Sequence, residues 1–200
     1  MKRVSRLYLA RHGQVQGYEK FPVYGHTDVD LTEVGIGQAE HLAERLRLTG
    51  IRAIYSSDLK RSAGVARIIA RHHDVPLHTM PELRELFFGG WEGLTLSDIR
   101  QRFPEDLKKR QTDLQGYKPP GGGESIGELS KRVMGSFSKI LSQEQGNDFV
   151  LVGHGAVNRT ILCGALGLDL SRMFSILQDY GCLNIIDYFP DSTVVKLMNG

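Results

Sequence analysis

Two short apolar runs, Leu7-Tyr8-Leu9-Ala10 and Phe149-Val150-Leu151-Val152, lead into Arg11-His12-Gly13 and Gly153-His154-Gly155. Continuous apolar runs of this length read as strands buried on both faces, the pattern of a parallel sheet covered by helices. In an open α/β sheet, ligands bind in the crevice outside the carboxyl ends of the strands, and both histidines fall there. The glycine after each histidine lets a backbone or a ligand come close. If the two strands share a sheet, their ends can set the imidazoles face to face. That pairing constrains the fold more than either run alone.

The rest of the chain alternates helix and strand signals. Leu31-Thr32-Glu33 opens a helix with Thr32 as its N-cap and Ala39, Leu42, Ala43 and Leu46 on one face, ending at Gly50. Arg52 to Ser57 reads as a second strand. Asp58 is then expected to cap a helix that turns Leu59, Ala63, Ala66, Ile69 and Ala70 inward and stops before Pro76. Residues 81–93 are irregular and rich in glycine and aromatic residues, and a short helix is expected from Thr95 to Phe103. Leu107 to Glu124 reads as an exposed loop, with a mobile flap at about 104–125. A long helix from about Ser125 to Ser142 leads to the strand before His154, followed by a helix over 156–166 and closing strands at Cys182–Tyr188 and Thr193–Met198. The expectation is one domain over residues 1–200, a three-layer α/β/α sandwich with a mostly parallel central sheet.

Composition narrows the function classes. The 25 basic and 23 acidic residues leave a net charge of +2, so no bulk field draws the chain to nucleic acid or a membrane surface. No window approaches the roughly 18 apolar residues of a membrane span, and the run from Met1 to Arg6 is basic without an apolar stretch behind it. Cys163 and Cys182, the only cysteines, read as buried free thiols of a reducing compartment. These features point to a cytoplasmic protein with a small-molecule partner, no nucleic acid and no membrane, acting as a monomer or homodimer.

Several local motifs carry no chemistry of their own. Val152-Gly153-His154-Gly155-Ala156 has the outline of a nucleophile elbow, but the serine that such an elbow requires is replaced by Gly155. Pro119-Pro120-Gly121-Gly122-Gly123-Glu124-Ser125 has the glycines of a phosphate loop without its Lys-Ser/Thr. His72 and His73 are adjacent on a helix and diverge by about 100°, so they cannot share a metal, and His41 and His78 have no partner at ligand spacing. Lys108-Lys109-Arg110 reads as a solvated face.

The remaining constellation is ordered along the whole chain. It comprises Arg11-His12-Gly13, then Gly25-x-x-Asp28-x-x-Leu31-Thr32-x-x-Gly35-x-x-Gln38-Ala39, and Ser56-Ser57-x-Leu59-x-Arg61. Glu85 with Gly90-Trp91-Glu92-Gly93 follows, then Gly123-Glu124-Ser125 and Gly153-His154-Gly155. Together these resemble the histidine phosphatase superfamily, which includes cofactor-dependent phosphoglycerate mutases. The resemblance implies a phosphoglycerate mutase-like fold with His12 as nucleophile, forming a phosphohistidine. It places His154, Arg11 and Arg61 around the transferring phosphoryl group, where fixed positive charge replaces a metal and no cofactor is needed. Glu85 becomes the proton donor to the leaving oxygen and later the base for water, with Glu92 next in line for that role. Substrate contacts are expected from Arg11, Gly13, Gln14, Thr27, Arg61 and Gly155.

Departures from the family pattern bear on substrate. Gln14 stands where many members carry glutamate, and no asparagine follows in the usual place, so one phosphate contact is expected either to be missing or to be supplied by Thr27. Val65 replaces a common threonine and only exchanges one packing group for another. The longer Trp- and Arg-containing insertion with which mutases hold a bisphosphate is missing, which favours a phosphatase. Tyr24-Gly25-His26, Phe87-Phe88-Gly89-Gly90-Trp91-Glu92 and Asp179-Tyr180-Gly181-Cys182 are similar to α-ribazole phosphatases of cobalamin biosynthesis. A mutase that requires 2,3-bisphosphoglycerate and a weakly catalytic phospholigand-binding module are the alternatives. Intact His12, His154 and Glu85 argue against the last.

Overall fold

The computed structural model describes residues 3–20 and 22–200; Met1 and Lys2 of the basic N-terminal run and Phe21 of the loop after His12 lie outside the described residues. The strands are β1 (Ser5–Arg11), β2 (Ile51–Ser56), β3 (Leu77–Thr79), β4 (Asp148–Gly153), β5 (Leu183–Tyr188) and β6 (Thr193–Leu197). They form one sheet in the order β3-β2-β4-β1-β5-β6. The pairs β2–β3, β2–β4 and β1–β4 are parallel, while β5 and β6 close one edge antiparallel. The helices are α1 (Glu33–Leu46), α2 (Lys60–Ala70), α3 (Leu96–Arg102), α4 (Pro104–Thr112), α5 (Ile126–Gln143) and α6 (Gly155–Leu166).

Because side chains alternate across a strand, the two central strands each feed two cores. Leu7, Leu9, Phe149 and Leu151 pack with Val133, Phe137, Ile140, Val157 and Ile161 of α5 and α6. Tyr8, Ala10, Val150 and Val152 pack on the opposite face with Ala39, Leu42 and Leu46 of α1 and Val65, Ala66 and Ile69 of α2. Val65 is fully buried, consistent with a packing role. Truncating Phe137, which is 1 % exposed, to alanine removes enough packed volume to cost about 3–5 kcal/mol.

Helix starts follow side-chain chemistry at the expected places. Thr32 caps α1 by accepting from Gly35 N, and Thr95 and Ser125 form capping boxes with Asp98 and Glu128. Asp58 behaves differently from the expected cap. Leu59 holds the N-cap position of α2, and both carboxylate oxygens of Asp58 accept from Arg84. Residues 104–112, read from sequence as part of a loop, are helical, with Pro104 in the first turn and acidic Glu105 and Asp106 at its positive end. The glycine-rich turn after it is tied down, since Gly90 N donates to Pro120 O at 2.7 Å. The three-residue strand β3 falls below what alternation in the sequence can signal. Of the histidines set aside above, His78 stacks on Tyr55 with ring centroids 5.0 Å apart. The basic run is not wholly solvated: Lys108 pairs with Glu105, while Arg110 lies over the Phe174 ring at 5.5 Å.

Candidate active site

Strand register assembles the site. Arg11 of β1 pairs with Gly153 of β4, and Ser56 of β2 with Val152 of β4, so the residues leaving these strands, His12, His154 and Ser57, emerge side by side. His12 N donates to Gly153 O at 3.2 Å, and the two imidazole centroids stand 5.1 Å apart, edge to face. Both rings are buried, His12 at 4 % and His154 at 0 % exposure.

The hydrogen bonds fix the tautomer of His12. Its Nδ1 lies 2.8 Å from Gly13 O, and a carbonyl only accepts, so Nδ1 carries the proton and Nε2 keeps its lone pair for the cavity that His12 lines. Burial first, and then the charges of Arg11 and Arg61, hold His12 well below the ordinary histidine range, so the ring is neutral near pH 7. His154 is lowered in the same direction, by burial and then by Arg61, His12 and Arg11. Its Nε2 lies 2.7 Å from Ser57 Oγ, which also accepts from Leu59 N, so the hydroxyl hydrogen is free to point at Nε2. Nδ1 of the neutral ring then carries its proton, and it is buried without a protein partner.

Two arginines are braced by backbone carbonyls. Arg61, 1 % exposed, donates through Nη1 to Thr27 O at 2.8 Å and through Nη2 to Gly25 O at 2.6 Å. Arg11 donates through Nη1 to Gln178 O at 2.5 Å, and its guanidinium carbon sits 4.2 Å from the centre of the Tyr180 ring. Neither carbonyl brace neutralises the charge, so each fork keeps N–H groups and a full positive charge for an anion. Glu85 closes the other side at the N-terminus of α6. Its two carboxylate oxygens accept from Ala156 N at 3.1 and 3.2 Å, and Oε1 also accepts from Leu86 N at 2.9 Å. Gly155 leaves room beside the site, since a Cβ there would stand 3.1 Å from Arg159 Nη1 and 3.4 Å from Glu85 Oε2 and would press on the end of the Arg159 side chain.

Arg11, His12, Arg61 and Glu85 therefore line one cavity of about 190 Å³, together with Pro22, Val23, Tyr24, Gly25, Phe88 and Tyr180. Gln14 and Thr27, expected at the substrate, are not among the lining residues. The Gln14 side-chain oxygen accepts from Thr32 Oγ1 at 2.8 Å, and the Thr27 hydroxyl donates to Glu92 Oε2 at 2.9 Å. Gly13 is pressed against α1, where an added Cβ would lie 2.4 Å from Gly35 O, so its lack of a side chain serves packing.

Apart from Glu92, named above as the next candidate proton donor, the residues that hold this arrangement were not singled out by their chemistry. Glu92 accepts from His26 N at 2.7 Å, from the Thr27 hydroxyl and from Phe88 N at 3.2 Å, which clamps the loop whose carbonyls hold Arg61. Its carboxylate is thus engaged away from the reacting centre. Glu124 takes both Arg132 Nε and Nη2, and Arg132 Nη1 donates to the carbonyls of Glu82 and Arg84, which locks the segment ending at Glu85. Behind Arg11, the buried amides of Gln178 and Asn184 pair reciprocally at 2.8 and 2.9 Å. Glu92, Ser57 and Glu124 lie inside the quoted motifs, which was the available signal; nothing local in the sequence marks Arg132 or Gln178.

A neutral histidine, two braced arginines and a carboxylate line one small cavity, with the second histidine, His154, fully buried against His12 and not among the lining residues, and together they suit transfer of a phosphoryl group. The comparisons agree. The model of the histidine phosphatase superfamily (branch 1) matches residues 7–200, and the chain belongs to that superfamily. It is a phosphoric monoester hydrolase of that kind. Over 194 residues it is 29% identical to the adenosylcobalamin/alpha-ribazole phosphatase of Salmonella typhimurium, covering 97% of this chain and 96% of the relative. It is also 29% identical over 194 residues to phosphoserine phosphatase 1 of Hydrogenobacter thermophilus, covering 97% and 92%. The crystal structure of the alpha-ribazole phosphatase from Shigella flexneri superposes with a TM-score of 0.89 at 28% identity, covering 98% of this chain and 96% of that one.

Proposed function

We propose that the chain is a metal-independent phosphomonoesterase that works through a phosphohistidine on His12, with α-ribazole 5′-phosphate as its candidate substrate. The observation that carries the mechanism is the Nδ1 bond of His12 to Gly13 O, which leaves Nε2 as a neutral nucleophile beside two cations. The Nε2 lone pair forms the bond to phosphorus while the phosphorus–oxygen ester bond breaks, its electrons going to the leaving oxygen. Glu85, in its carboxylic acid form, gives that oxygen a proton. Water then attacks the phosphohistidine, gives a proton to the Glu85 carboxylate and returns the phosphorus–nitrogen electrons to Nε2. Arg11, Arg61 and the unpartnered Nδ1–H of His154 take the charge on the three equatorial oxygens. The choice of α-ribazole 5′-phosphate rests on the Salmonella and Shigella relatives.

The test is hydrolysis in excess chelator by wild type and by Glu85→Gln. An alkoxide departs poorly without a proton, whereas p-nitrophenolate needs little help. The burst of phosphohistidine formation from an alkyl phosphate should fall by roughly 10²–10⁴-fold, and that from p-nitrophenyl phosphate much less. Equal losses, or activity abolished by chelator and restored by a divalent ion, would contradict the proposal.

A further inference from the structure

Arg159, one turn into α6, is a third arginine beside the site, and it stands outside the cavity lining. It is half-buried, its Nε donates to Ile176 O at 2.8 Å, and its guanidinium carbon lies 5.8 Å from the centre of the Phe174 ring. Around the point that a Cβ on Gly155 would occupy stand Arg159 Nη1 at 3.1 Å, Glu85 Oε2 at 3.4 Å and Arg11 Cζ at 3.8 Å, so the three charges lie within about 7 Å of one another. Neutral groups anchor each of them: Gln178 O holds Arg11, Ile176 O holds Arg159, and Ala156 N and Leu86 N hold Glu85.

Two cations and one carboxylate in so small a space compete. Glu85 lines the cavity with Arg11 and Arg61, the arginines that grip the phosphoryl group, and opposite charges at this range attract. A carboxylate drawn onto them would occupy the phosphate position, cancel their charge and lose its place at the leaving oxygen. Arg159 pulls on the same carboxylate from outside the lining. Burial and then the charge of Arg11 hold Arg159 below the ordinary arginine range, and Glu85 acts in the opposite direction, so the three groups are electrostatically linked. A guanidinium stays protonated at any working pH, which makes the pull permanent.

Resting on the phosphatase reading above, we infer that Arg159 is a positioning residue whose charge holds Glu85 off Arg11 and Arg61, keeping the phosphate position open and the carboxylate at the leaving oxygen. Arg159 acts through Glu85 and not on the phosphoryl group.

The test is titration calorimetry with inorganic phosphate on wild type, Arg159→Gln, Arg159→Lys, Glu85→Gln and the Arg159→Gln, Glu85→Gln double variant. Arg159→Gln should weaken phosphate by about fivefold or more, because the carboxylate now competes with it, and Arg159→Lys should keep the affinity within about twofold of wild type. In the double variant the competitor is gone, so affinity should return to within about twofold of Glu85→Gln alone. A loss that arose only from freeing the Ile176 carbonyl would persist there. Arg159→Met, which keeps an apolar stem beside Phe174, repeats the comparison with a different side chain. Phosphate affinity unmoved by both the glutamine and the methionine, or a loss that survives in the double variant, overturns the inference and leaves the phosphatase reading standing. Turnover of p-nitrophenyl phosphate by wild type without a phosphohistidine burst overturns that reading, and the inference with it.

Discussion

Ser57 Oγ stands 2.7 Å from Nε2 of His154, at the end of the strand next to the one that delivers the histidine. The bond turns the Nδ1–H of His154 into the ring's only free donor, buried and without a protein partner. Ser57→Ala removes the group that sets this tautomer while leaving the strand intact. One net hydrogen bond is worth about 0.5–1.5 kcal/mol, so kcat/KM should fall up to about tenfold, mainly in kcat, while the buried His154 Nε2 and Leu59 N left without Ser57 lower stability by about 1–3 kcal/mol. A loss confined to KM would assign Ser57 to ground-state binding.

Glu92 is the second positioning element. Glu92→Ala strips the acceptor from His26 N, Phe88 N and the Thr27 hydroxyl, and so frees the loop that braces Arg61. Thermal or denaturant unfolding should report a loss of about 1–3 kcal/mol. Burst rates for alkyl and p-nitrophenyl phosphates should fall together, because the brace serves both substrates alike. A loss restricted to the alkyl ester would instead make Glu92 the proton donor.

Acid should destabilise the fold through the two histidines. Burial, then neighbouring positive charge, holds His12 and His154 well below the ordinary range in the native state, whereas in the unfolded chain each returns to about 6.5. Between the lowered native values and about 6.5 the unfolded state binds more protons, so stability rises with pH across that window and is lost as pH drops through it. The melting temperature should therefore decrease from pH 7.5 to pH 5. The His12→Gln, His154→Gln double variant should show a flatter profile, and a slope equal to that of wild type would contradict the assignment.

The central strands of the sheet and the gathering of His12, His154, Arg11, Arg61 and Glu85 at their ends were legible before the structure because both depend on strong local signals. Apolar runs ending in His12 and His154 declare buried parallel strands, and Arg11, Arg61 and Glu85 lie within or beside the short motifs that follow one another along the chain. What could not be read is long-range. Asp58 has the chemistry of a cap, yet Arg84 offers two charge-assisted bonds that outweigh one bond to a backbone N–H. Gln14 and Thr27 have the chemistry of phosphate ligands, yet Thr32 and Glu92 claim their side chains. Arg132 becomes part of the site only because α5 crosses behind the segment ending at Glu85, which no sequence spacing reveals.

The central claim is that His12 Nε2 takes the phosphoryl group. Rapid acid-free quenching of the enzyme during turnover of p-nitrophenyl phosphate, followed by peptide mass spectrometry, tests it directly. The account predicts a phosphoryl group on His12 that is acid-labile and alkali-stable, absent in His12→Ala, whose fold is otherwise retained. Phosphate found on His154, a serine or a carboxylate, or undiminished turnover by His12→Ala, would contradict it.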